Sequence, residues 1–426
     1  MLRPPSLGPI VGHTTSDSVR LWMRGADQEG RSIGLVALFD QAGKAIPGKL
    51  AYFRLRREYD RTGVIDLGAL KADTLYHARM ASLTIDSVDA DITLADAEVF
   101  SKLPKPQVWL DELCKLSDEQ SLATFRTRRQ ATATTLSFIF GSCRYPGLFF
   151  STKKADRIFG AIFNQFQSDA SLKFLLMVGD QIYADKLNRS IPLARADSPS
   201  EFHDRYLTAF SSPNMRHLLR SVPTYMILDD HEIEDNWVRG RIKNTAKREL
   251  FQMAISAYMS YQWLHSPRNY GPQGELDDAS GDYLYYSFDC EGYPFFVMDS
   301  RTQRIKDDDD TVLEDNHLLG YPAKASAVGY LGQIDLLCQW LVDQQTQSGN
   351  RPKFIVSPSV FVPNTVRTAG NTAKSLKNKC EDDSWAAFPQ TRRQLLETIV
   401  KHNIQNVVFL SGDVHCSNIA EMRFID

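Results

Sequence analysis

Apolar and polar positions change rhythm once along this chain, near residue 130. Before that point the period is two. In residues 18–24, Val19, Leu21 and Met23 alternate with Arg20, Trp22 and Arg24, as in a half-buried strand. Residues 33–39, 49–56, 74–81 and 122–128 read the same way, separated by turn formers such as Asp40, Gly43, Pro47, Gly48, Asp60 and Gly63. Short strands at this spacing predict an all-β sandwich over residues 1–130, with no helix-period stretch competing. From residue 131 to 426, short continuous apolar runs alternate with helix-period segments, which predicts an α/β domain of buried sheets flanked by helices. Strands are expected at 135–140, 173–178, 224–228, 295–298, 353–356 and 406–410. Helices are expected at 152–166, 201–220, 246–265, 331–347 and 391–402, the fourth with Ile334, Leu337, Trp340 and Leu341 on one face.

The ends of the apolar runs carry the candidate chemistry. The run at 135–140 leads into Gly141-Ser142-Cys143-Arg144, and that at 173–178 into Gly179-Asp180-Gln181-Ile182-Tyr183. The run at 224–228 leads into Asp229-Asp230-His231-Glu232, that at 295–298 into Asp299-Ser300-Arg301, and that at 406–410 into Ser411-Gly412-Asp413-Val414-His415. The run at 353–356 ends blandly in Ser357-Pro358-Ser359. In open α/β sheets ligands bind outside the carboxyl ends of the strands, so these groups are expected to share one edge. Several anionic groups brought together repel one another unless a cation neutralises them.

The donors sort into two sets. Cys143, Asp180, Tyr183 and His415 combine thiolate, carboxylate, phenolate and imidazole, a set that suits a redox-type transition metal, Fe(III) being the expectation. Asp180, shared, with Asp230 and Asp413 makes an oxygen-only set, which Asn236 can join and which suits Ca²⁺, Mg²⁺ or Mn²⁺. Arg144 and Arg301 are candidate phosphate clamps, because guanidinium matches phosphate oxygens in pairs. His231 is expected to contact phosphate or act in catalysis. Each residue also has a plainer reading: Cys143 as small core, the aspartates as caps, Tyr183 as packing, the arginines as ion pairs. A phosphocysteine mechanism would place Arg six residues after Cys143, where Phe149 stands.

Composition narrows the classes. The 426 residues carry a formal net charge of −3, which argues against a non-specific nucleic-acid binder. No apolar run approaches the roughly 20 residues that span a bilayer. The opening MLRPPSLGPIVG lacks an apolar h-region, so the chain reads as cytoplasmic, or periplasmic or secreted if an export signal was removed. Six scattered cysteines without CxxC spacing suit a reduced compartment or a ligand role. The Asp307–Asp310 run reads as a solvated loop, and Trp385 and Phe388 as either a roof over the site or satellite core.

The ordered stretches FIFGSCRYPG (138–147), MVGDQIYAD (177–185), LDDHEIEDNW (228–237), VMDSRTQR (297–304), DSWAAFPQTRR (383–393) and LSGDVHCS (410–417) resemble the PhoD-like family of calcineurin-like metallophosphoesterases. GPIVGHTTSDSVRLWMR (8–24) is similar to that family's sandwich domain. The resemblance implies an Fe(III) plus Ca²⁺ site that hydrolyses phosphate mono- and diesters of small molecules. It sets Asp180 and Tyr183 at the iron-binding positions of the related purple acid phosphatases. It sets Cys143 where those relatives carry Asp, Asp230 and His231 at the Asn-His of GNHE, and Asp413 and His415 at the two His positions of GHxH. The strand at 353–356 brings no His where the wider superfamily has a ligand. The expected mechanism is attack by hydroxide generated at the trivalent ion, with no covalent phospho-enzyme. The alternatives are a phosphodiesterase acting mainly on phospholipid or nucleotide diesters, and a non-catalytic sandwich binding protein with a degenerate second domain. No protein partner is expected.

Overall fold

A computed structural model describes residues 1–26, 31–85, 95–130, 135–145, 152–185, 195–270, 284–306, 313–322, 332–362, 383–413 and 415–423. The amino-terminal strands form two sheets. β1 (Leu2–Arg3), β4 (Arg31–Phe39), β5 (Ala45–Arg54), β7 (Leu75–Ile85) and β8 (Leu122–Arg126) make one, in the order β1-β7-β4-β5 with β8 on β7. β2 (Leu7–Thr14), β3 (Val19–Arg24) and β6 (Thr62–Leu67) make the other. Every pair is antiparallel, as in a sandwich. Val19, Leu21 and Met23 fill the space between the sheets with Val36, Leu38, Phe53 and Met80.

The alternation in β3 predicts that Trp22 and Arg24 face water, and they do not. Trp22 is fully buried in the core of the second unit, beside Tyr261 (ring centroids 5.7 Å apart), and its Nε1 donates to the Ser260 carbonyl at 2.8 Å. Arg24 is buried against Asp60. The outer face of this sheet is an internal surface, because the second unit packs on it. Nor is the sandwich region free of helices. α1 (Asp96–Lys102), α2 (Leu110–Cys114) and α3 (Asp118–Ser121) join β7 to β8, with Val99 and Leu113 inward. They are too short to show a helical period in the sequence.

The second unit holds two sheets. Parallel β9 (Ser137–Gly141), β10 (Leu172–Val178) and β11 (Thr224–Ile227) lie in the order β11-β10-β9. The other runs β12 (Tyr286–Cys290), β13 (Tyr293–Val297), β14 (Lys353–Ser357), β15 (Val407–Ser411); β12 and β13 form a hairpin and the rest are parallel. Helices α4 (Thr152–Ser168), α5 (Pro199–Phe210), α6 (Pro213–Leu219), α7 (Thr245–Tyr261), α8 (Gln333–Ser348) and α9 (Pro389–Lys401) cover them. The expected helix at 201–220 is two, because Pro213 cannot continue α5 and starts α6 instead. The expected apolar face of α8 is buried: Ile334, Leu337, Trp340 and Leu341 join a core with Phe296, Ile355 and Trp385. Trp385 and Phe388 are thus core, not roof.

Register positions the site. Met177 pairs with both Gly141 and Met226, and Val178 with Ile227, so β9, β10 and β11 end at one level. In the second sheet Ser357 pairs with Ser411. The Gly412 amide donates to the Pro358 carbonyl at 3.1 Å, which fixes how the chain leaves β15.

Candidate metal centre

The carboxyl ends of β9, β10, β11 and β15 meet in one place. A Cβ on Gly412 would sit 2.4 Å from the Val178 carbonyl oxygen and 2.8 Å from Ser142 Cβ. One on Gly179, whose φ is +85°, would sit 2.4 Å from Asp229 Cβ. Only residues without side chains let these strand ends approach so closely. The neighbouring ligand-type residues are bent further. Cys143, Asp180, Asn236, Asp413 and His415 all have φ between +51° and +72°, in the left-handed region that non-glycine residues rarely occupy. Such strain persists where the surroundings over-determine it, and functional sites are where it gathers.

Those bends bring the predicted donors together. Cys143 Sγ lies 3.4 Å from Asp180 Oδ2, and Tyr183 Oη is 3.4 Å from both Asp180 Oδ2 and His415 Nε2. Three groups of side chains hold their ligand atoms within 4.8 Å of one another: Cys143, Asp180 and His415; Asp180, Asp230 and His231; Asp229, Asp230 and Asp413. Asp180 belongs to the first two groups and Asp230 to the last two, so they form one chain of sites. His231 stands nearer this cluster than the expectation of a phosphate contact alone required. Its Nδ1 meets Asp185 Oδ1 at 2.8 Å, which leaves Nε2 available. Asn236 donates its backbone N–H to Asp230 Oδ2 at 2.5 Å, while its side-chain amide donates to Asp235.

The two expected phosphate clamps are differently placed. Arg144 donates to Ser212 Oγ at 3.2 Å and stacks 5.5 Å from the Phe159 ring centroid, so its guanidinium serves α4 and α6. Arg301 is fully buried and pairs with Asp229, Asp230 and Asp383. It holds the carboxylates from behind. Asp383 also binds Arg304; both lie in stretches that resemble the family, but nothing in the sequence pairs them. Nor does the sequence pair Asp185 with His231, though Asp185 lies within the GDQIYAD stretch five residues after Asp180. Glu232 is fully buried and accepts from the backbone N–H groups of Asp180, Gln181 and Asp229, tying two strand ends together. Asp299 accepts the N–H groups of Arg301 and Thr302, shaping that turn. The run Asp307–Asp310 lies outside the described residues.

The electrostatics are those of crowded carboxylates. Burial pushes Asp180 well above the usual carboxylate range, and Asp229, Asp230 and Glu232 push it further. Asp413 is raised to about 7 by burial and then by Asp229. Burial also raises Asp229, though Arg301 opposes it. Burial works against ionised Asp230 as well, but Arg301 and His231 together hold it below its ordinary value. Among the described residues Asp229 Oδ2 is buried without a hydrogen-bond partner, and Asp230 Oδ1 faces Arg301 Nη2 at 3.4 Å. Carboxylates gathered by strained backbone, repelling one another and short of donors, fit a cation. Sulfur, phenol and imidazole lie beside Asp180 on one side; on the other the oxygen-only group is Asp229, Asp230 and Asp413, with Asp229 in the place expected of Asp180, and His231 joins Asp180 and Asp230 between them.

A β-sandwich followed by two buried sheets thus carries this cluster at its strand ends. The chain belongs to the PhoD-like phosphatase family, whose sequence profile matches residues 148–424. It is 22% identical over 298 residues to alkaline phosphatase D of Bacillus subtilis (strain 168), a match covering 67% of this chain and 47% of the relative. The chain therefore spans about half the length of that protein. Among solved structures, that of PhoD aligns with 97% of this chain and 72% of its own, at a TM-score of 0.65 and 19% identity. A purple acid phosphatase from yellow lupin (Lupinus luteus) seeds aligns with 96% of this chain and 58% of its own, at a TM-score of 0.50 and 11% identity.

Proposed function

We propose that the chain hydrolyses phosphate esters of small molecules at the cluster around Asp180, with residues 131–426 carrying the chemistry and residues 1–130 docked against them. The observation that carries this reading is the chain of three groups of ligand-type side chains linked through Asp180 and Asp230. Cys143, Asp180, Tyr183 and His415 would hold an Fe(III), and Asp180, Asp230 and Asp413, joined by Asn236, a Ca²⁺, Mg²⁺ or Mn²⁺. When bound, such cations supply Lewis-acid charge and activate water for attack on phosphorus. The chain's own residues do the rest. Asp180 is shared by two of the groups, so it fixes the spacing of the reacting centre. Asp185 fixes the ring of His231 through Nδ1, which presents Nε2 as the group to donate toward a phosphate oxygen or the departing alkoxide. Arg301 sets Asp229 and Asp230 in place rather than meeting substrate. The related proteins are named for phosphatase activity, which supports ester hydrolysis over a degenerate binding role.

Elemental analysis of the purified protein, beside turnover of para-nitrophenyl phosphate and its bis-ester, tests the proposal and separates monoesterase from diesterase. Asp180→Asn should lower turnover ~100-fold or more while the circular dichroism stays unchanged. Tyr183→Phe should weaken a visible charge-transfer band. A colourless, iron-free protein of full activity would rule out the Fe(III) assignment, and an Asp180→Asn variant with wild-type turnover would remove the cluster from the mechanism.

A further inference from the structure

A row of three rings runs from the candidate metal centre to solvent. Its inner members are His231 and Tyr183, with ring centroids 4.3 Å apart. Tyr183 is buried, and its hydroxyl lies between Asp180 and His415. The outer member is Tyr145, two residues beyond Cys143. Its ring centroid is 5.0 Å from that of Tyr183, at an interplanar angle of 75°, and the residue is 40% exposed.

Tyr145 is held at that position by its backbone. Cys143, at φ +60°, bends the chain as it leaves β9, and the Tyr145 amide donates to the Cys143 carbonyl at 2.9 Å. The Arg144 amide donates to the Asp180 carbonyl at 2.8 Å, which ties the same turn to the end of β10. The Arg144 side chain leaves toward Ser212 and the Phe159 ring, whereas that of Tyr145 goes to Tyr183. A single exposed apolar group needs no explanation. This ring differs in that it touches a side chain of the cluster and still keeps much of its surface open. A ring already fixed by packing loses little conformational freedom when it meets a ligand.

From this fixed, exposed ring in contact with Tyr183, we infer that Tyr145 is a specificity-determining residue. It receives the organic group of the ester, and favours a flat aromatic or heteroaromatic ring there over an alkyl chain. Flat rings gain from offset or edge-to-face contact with a tyrosine ring beyond the area they bury, and an alkyl group lacks that gain. This role presupposes the hydrolysis proposed at the cluster and adds a substrate class to it: phosphate esters of aromatic or heteroaromatic alcohols.

Isothermal titration of the full chain with phenylphosphonate and with methylphosphonate, neither of which has an ester bond to cleave, reads binding without turnover. The wild type should bind the phenyl compound about fivefold more tightly, Tyr145→Ala should lose that margin, and Tyr145→Phe, which keeps the ring, should retain it. Kinetics should agree. Tyr145→Ala should lower kcat/KM for phenyl phosphate about fivefold more than for ethyl phosphate, each ester being compared with wild type so that leaving-group reactivity cancels. A wild type that hydrolyses neither ester yet shows the Tyr145-dependent margin would remove the hydrolysis and keep the ring-binding role. Phosphonates bound alike by the wild type, or equal losses on both esters in Tyr145→Ala, would overturn the inference and leave Tyr145 as a prop for Tyr183.

Discussion

At the scale of single residues, the site is held by two guanidiniums that never reach solvent. Asp383 neutralises two buried guanidiniums, those of Arg301 and Arg304, and Arg301 in turn orders Asp229 and Asp230. Removing one partner of a buried pair leaves the other charge uncompensated. Asp383→Asn should therefore lower stability by about 3 kcal/mol, seen as an earlier denaturant midpoint. A midpoint equal to wild type would mean that Asp229 and Asp230 suffice for both arginines. A second buried group sets a pH dependence. Burial pushes His265 down from 6.5 to about 4. Below pH 6.5 the unfolded chain takes up a proton that folded His265 refuses, so stability falls as the pH drops toward 4 and levels off beneath it. The effect reaches about 3 kcal/mol. Urea midpoints at pH 7 and 4.5 should therefore diverge less in His265→Phe than in wild type; an equal drop in both would exclude His265.

At the scale of elements, the donors were legible because each stands within a few residues of a strand's end, where apolar runs stop. Cys143, Asp180, Tyr183, Asp230, Asp413 and His415 as candidate ligands, and His231 as a candidate phosphate contact, followed from the rule that ligands gather at carboxyl ends together with the family resemblance. Asp383, Asp185 and Glu232 were not legible as partners, since what assigns them is a contact: Asp383 with Arg301, Asp185 with His231, Glu232 with three amides of two strands. Arg144 and Arg301 were read from residue type alone, and residue type does not say which way a side chain turns. The elements meet only because glycine lies at the crossing. Gly179→Ala, at φ +85° and 2.4 Å from Asp229 Cβ, should cost about 1–3 kcal/mol and displace Asp180. Denaturation together with turnover checks this. A stable, fully active alanine variant would show that β10 and β11 can part without harm to the site.

At the scale of the whole molecule, the sandwich is not an appendage. Trp22 from β3 sits in the core of the second unit with Leu7 and Ile10, so the two units share apolar contacts across the seam. Trp22→Ala should remove about 3–5 kcal/mol and separate the calorimetric unfolding into two transitions. A single transition, merely shifted, would show that the remaining seam contacts keep the units cooperative.

The change of period near residue 130, the strands of the second unit that end in ligand-type residues and the donor types were set by the sequence alone, because period and composition are local properties that burial imprints on a strand or helix. The inward turn of Trp22, the short helices between β7 and β8, and the pairing of buried Arg301 with Asp383 came only with the tertiary structure. Each depends on which distant surface packs against it. Sequence spacing records an element's own period, but not the partner that covers its other face.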